Sequence, residues 1–107
     1  MRASTNDKRL METEFRAESF AVAQKLKEHA EKTGRTLMQF ALAWMWANSI
    51  VTSVIGGPRT IEQWHDYIGA IGTSWNAEDE ALVDSLVTPG HPSTPGYNDP
   101  VYPLNGR

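Results

Sequence analysis

Residues 50–63 read Ile50-Val51-Thr52-Ser53-Val54-Ile55-Gly56-Gly57-Pro58-Arg59-Thr60-Ile61-Glu62-Gln63. The first six are β-branched except for Ser53, and the run stops at two glycines and a proline, a composition suited to a strand buried on both faces. No other stretch of the chain reads convincingly as a strand. A lone strand of this kind leaves its ladder N–H and C=O groups unpaired, at a cost on the order of 1–3 kcal/mol per buried group. Residues 50–55 are therefore expected to be one strand of a larger sheet whose other strands come from elsewhere.

Working outward, residues 37–47 read Leu-Met-Gln-Phe-Ala-Leu-Ala-Trp-Met-Trp-Ala, apolar on nearly every side, so a helix here must be covered on more than one face. Trp44 and Trp46 are expected to serve as core. Thr36 and Gln39 form a Thr-x-x-Gln capping box that opens this helix, and Gly34 supplies the left-handed residue that closes the preceding one. In that preceding helix Val22, Leu26 and Ala30 make the apolar stripe, with Lys25, Lys27, Glu28 and Glu31 on the remaining surface. On the other side of the strand, Thr60 and Gln63 repeat the capping pattern. Trp64, Tyr67, Ile68 and Ile71 then give a stripe able to pack on a sheet. Asn76 caps a last helix with a narrow apolar face of Leu82, Val83 and Leu86. Its first turn holds Glu78, Asp79 and Glu80, where the helix dipole favours acids.

The expected organisation is a polar N-terminal arm over residues 1–14, a partial domain of helix-helix-strand-helix-helix order over 15–87, and an extended tail over 88–107. The tail holds five of the six prolines together with Tyr97 and Tyr102. A net charge of −3 offers no general attraction to nucleic acid or anionic lipid, and the apolar helix 37–47 lacks the polar face of a DNA-reading helix. No apolar run approaches the roughly 18 residues of a membrane span, and the polar start lacks a secretion signal, which makes a cytoplasmic location the expectation. Without cysteine there is no thiolate nucleophile or zinc-thiolate site, and His29, His65 and His91 lack ligand spacing.

Chemistry is best placed at the strand-to-helix turn. Two glycines let another group approach the backbone, a helix N-terminus follows with free N–H groups, and Arg59 adds a permanent planar charge matched to phosphate. The turn is suited to an anion.

The order of Ala-Leu-Ala-Trp helix, Asn/Ser link, Val-Thr-Ser-Val-Ile strand and Gly-Pro-Arg-Thr-x-Glu-Gln turn resembles the C-terminal part of the aldo-keto reductases. The likeness runs from about Phe20 to Val87. It implies an α/β fold, the TIM (β/α)8 barrel, to which this mostly α-helical chain would contribute the eighth strand near 50–55. It also implies that the next helix N-terminus receives the adenosine 2′-phosphate of NADP(H). By resemblance, Gly57 allows close approach, Arg59 pairs with the phosphate, Thr60 hydrogen-bonds near it, and Gln63 and Asp66 face the adenosine. Tyr67 stands where relatives commonly carry an asparagine that reaches the adenine, and it is left outside the site. His65 is expected to face solvent.

In this family a tyrosine, a lysine, an aspartate and a histidine perform catalysis, all on earlier strands and loops, so no residue of this chain is assigned to that tetrad. A closed barrel takes about 250 residues. The expectation is a C-terminal fragment of an NADP(H)-dependent carbonyl-reducing oxidoreductase, inactive alone and weak in cofactor binding. The alternative is a small helical protein-interaction module derived from that domain. The expected partners are the missing barrel portion or a second copy, with neither nucleic acid nor membrane.

Overall fold

A computed structural model describes residues 16–90. They form four helices: α1, Ala17–Lys32; α2, Leu37–Trp46; α3, Ile61–Gly69; and α4, Ala77–Leu86. The arm and the tail lie outside the described residues, apart from positions 88–90.

The chain divides into two compact units, one spanning Leu26–Ala81 and the other combining Met1–Lys25 with Leu82–Arg107. In the described part of the latter, Val22, Leu82, Val83 and Leu86 are half-buried and Phe20 is exposed. Val87 N–H continues the α4 ladder to Val83 C=O at 2.8 Å.

The Leu26–Ala81 unit holds a small core of Ala30, Phe40, Leu42, Ala43 and Ala70. α1 closes as the glycine predicts. Gly34 takes φ 76°, its N–H donates to Glu31 C=O, and Arg35 N–H reaches back to Ala30 C=O at 2.9 Å, which satisfies carbonyls the helix end would leave bare. This reversal launches Arg35 back toward α1. α2 opens with the complete expected box: Thr36 Oγ1 accepts from Gln39 N–H, and Gln39 Oε1 accepts from Thr36 N–H. α2 then packs on α3.

Two expectations need correction. Among the described residues there is no strand. Residues 48–50 form a turn in which Val51 N–H donates to Asn48 C=O at 3.0 Å, and residues 51–59 carry no regular structure. A strand is defined by ladder bonds to a neighbour, so β-branched composition cannot produce one where no second strand lies beside it. The tryptophans are also less covered than expected. Trp46 is 43% exposed and Trp44 half-buried, because a helix apolar all round exceeds the surface that this unit lays against it.

The same shortage shows along α3. Its stripe of Trp64, Tyr67, Ile68 and Ile71 lines an open apolar groove with Leu42, Trp46, Val54 and Pro58 rather than a sheet, and Ile55 is 98% exposed.

Candidate functional site

The turn from Val54 to Gln63 is built from the α3 cap outward. Thr60 is the N-cap with extended backbone (φ −126°, ψ 161°), and its Oγ1 accepts from Gln63 N–H at 3.2 Å. The reciprocal half of the box is shifted by one residue. Gln63 Oε1 accepts from Arg59 N–H at 2.7 Å, not from Thr60, so the side chain ties down the residue before the cap. Trp64 N–H donates to Thr60 C=O, while the N–H groups of Ile61 and Glu62, the first two of α3, take no acceptor among the described residues. Those two donors and the positive end of the helix dipole make the turn attractive to an anion.

Arg59 is exposed, and among the described residues its guanidinium makes no hydrogen bond or ion pair. The two glycines differ. A Cβ on Gly56 would lie 2.7 Å from Tyr67 Cε1, so a side chain there would have to displace the Tyr67 ring. A Cβ on Gly57 would meet nothing within 4 Å, so the space over Gly57 is open to another molecule. Glu62 places one opposing charge in the same helical turn.

Gly57, Arg59, Thr60 and Gln63 are thus brought into one turn. Asp66 sits farther along α3, half-buried, and its Oδ1 accepts from Thr36 Oγ1 at 2.9 Å. That bond joins α3 to the N-cap of α2 and occupies one of the two carboxylate oxygens. His65 is exposed, as expected.

Sequence reasoning missed the most strongly coupled polar group. Asp79, read only as one of three first-turn acids favoured by the helix dipole, is 1% exposed. Arg35 embraces its carboxylate, Nη2 donating to Oδ1 at 2.7 Å and Nη1 to Oδ2 at 3.0 Å. His29 Nε2 meets Oδ1 at 2.7 Å, and Asn76 N–H donates to Oδ2 at 3.2 Å. The Arg35 hydrogen bonds, aided by those from His29 and Asn76, outweigh desolvation and lower the Asp79 pKa from 3.8 to about 2. With the carboxylate ionised, His29 Nε2 must be the donor. Phe40 roofs the cluster, with its ring edge-on to His29 at 5.6 Å and the Arg35 guanidinium 5.0 Å from the ring centroid. An Asp held by the Arg35 fork and a His29 N–H is a poor proton acceptor, so the cluster acts as a clasp between α1, the Arg35 loop and α4. Its local half was readable: Asn76-x-x-Asp79 is a capping box, with Asp79 N–H donating to Asn76 Oδ1 at 2.9 Å. The contact from residue 35 to residue 79 leaves no local trace.

The sequence profile of the aldo/keto reductase family matches residues 2–88. The chain belongs to the aldo/keto reductase family. Among curated proteins, the uncharacterized oxidoreductase YrpG of Bacillus subtilis (strain 168) is 33% identical over 63 residues, which amount to 59% of this chain and 19% of that protein. No solved structure matches the chain. Family membership bears out the resemblance read from the turn and its flanking helices. The chain spans about a fifth of the length of this curated relative, and its described residues are helical where the aldo/keto reductase fold has a barrel. Among the described residues no helix is long and apolar enough to cross a membrane, and no His/Asp/Glu cluster fits a metal ion.

Proposed function

We propose that residues 54–63 form the part of an NADP(H)-dependent aldo/keto reductase that holds the adenosine 2′-phosphate. The observation that carries this reading is the exposed Arg59 guanidinium, unpaired among the described residues, beside a glycine over which the chain places nothing. Arg59 supplies the charge and planar donors, Gly57 the room, and the start of α3 the free N–H groups. Thr60 and Gln63 hold the cap and orient the Arg59 backbone, and Asp66 contributes through its second oxygen on the adenosine side. When bound, the cofactor supplies hydride. This chain binds and orients, while proton transfer belongs to residues it does not contain.

In an NMR titration of the 107-residue chain, NADPH is expected to shift the amides of residues 57–63 at lower concentration than NADH. Arg59→Ala should remove that difference, since a charge-assisted pair of this kind contributes about 1.5–3 kcal/mol. Equal responses to the two nucleotides in the parent chain would refute the assignment.

A second reading, a helical module that binds the remaining barrel segments or another copy of itself, is favoured by the exposure of Ile50, Ile55, Ile61, Trp64 and Ile71. Under it the chain should sediment as a defined dimer or a stable complex, and a monomer at high concentration would count against it.

A further inference from the structure

Tyr67, like Trp64, is an aromatic residue of α3 that the cofactor reading leaves unused, and it packs against Gly56 of the turn. Ideal Cβ placement on Gly56 falls 2.7 Å from Tyr67 Cε1, 3.1 Å from Cδ1 and 3.4 Å from Cζ, so the ring lies directly against the glycine backbone. The other attachments of the segment are apolar: Val54 and Pro58 are half-buried and line the groove with Trp64 and Ile68. Between the Val51 N–H bond to Asn48 and the Arg59 N–H bond to Gln63, none of residues 52–58 makes a hydrogen bond among the described residues. No ladder pins the segment, and glycine lowers its stiffness further at positions 56 and 57.

We infer that Tyr67 is a positioning residue for the 2′-phosphate turn, clamping Gly56 while Gln63 clamps Arg59, so that Gly57 is held open between two points of attachment to α3. This rests on the cofactor reading above. Both anchors lie on one helix, at positions four residues apart and therefore on neighbouring ground of the same face. α3 thus sets the spacing between the approach point at Gly57 and the charge at Arg59. The contact is made by the ring carbons Cε1, Cδ1 and Cζ, so a phenylalanine ring can make it as well.

The test uses the 107-residue chain with NADPH and NADH as probes. In the free protein, Gly56 resonances should show a ring-current shift that Tyr67→Phe retains and Tyr67→Leu abolishes, with faster amide exchange at Arg59 in the leucine variant. NADPH affinity should be kept in Tyr67→Phe and fall roughly tenfold in Tyr67→Leu, the cost of fixing about one backbone residue on binding. Gly56→Ala, which drives the ring away without altering it, should reproduce that loss and decides the matter if Tyr67→Leu does not fold. Leucine and alanine variants that keep parent affinity, or a Gly56 shift indifferent to the ring, would overturn the inference. A parent chain that does not prefer NADPH would instead sink the cofactor reading, and the Gly56 shift would still report whether Tyr67 holds the turn.

Discussion

Replacing Asp79 by alanine is expected to destabilise the Leu26–Ala81 unit by about 3–5 kcal/mol, because the Arg35 guanidinium is left largely buried without its counterion. That is a large share of the stability of any small domain, typically about 5–15 kcal/mol. Urea denaturation followed by circular dichroism measures it. The size of the loss comes mainly from stranding the partner and only partly from the attraction itself. Replacing both partners together, as Arg35→Met with Asp79→Leu, should therefore cost less than Asp79→Ala alone. A double variant less stable than the single one would show that the ion pair itself dominates.

The same carboxylate gives the unit a defined acid sensitivity. Because folding lowers the Asp79 pKa from 3.8 to about 2, its contribution is fully present above pH 4 and is lost as pH falls from about 4 through 2. The shift corresponds to about 2 kcal/mol. Asp79→Asn should flatten that part of the stability profile, and an unchanged acid slope in the variant would show that other carboxylates govern it.

Phe40→Ala is expected to cost about 3–5 kcal/mol, the usual penalty for removing a buried aromatic ring. Phe40 is 2% exposed and tilts against Trp75 at 4.9 Å while it roofs His29 and Arg35. The ring joins the apolar core to the polar clasp, so its loss exposes both. Phe40→Leu should recover most of the loss by keeping apolar volume, with a residual deficit from the missing cation–π contact of about 0.5–2 kcal/mol. Urea denaturation followed by circular dichroism measures both variants. A Phe40→Ala chain that matched the parent midpoint would place the core elsewhere.

Much of the local architecture was legible because its causes are local. Thr36 with Gln39, Gly34 after α1, and Thr60 at the start of α3 each bond within a few residues of themselves, and each appears where its spacing demanded. Residues 50–55 were misread because strand formation is not a local property. Their β-branched side chains state a preference, while the state itself requires backbone partners that the described residues do not place beside them. Asp79 shows the same limit: its place in the first turn of α4 was legible, while its burial comes from residues 29 and 35.

Order along the chain was sufficient by itself to reveal the reductase family and the four helices, because capping, periodicity and motif spacing are written within a few residues. Which acid is buried, which glycine Tyr67 packs against, and that the β-branched run stays unladdered among the described residues emerged only in three dimensions. Those outcomes turn on contacts between residues far apart in sequence, such as Arg35 with Asp79, whose energies no local window contains.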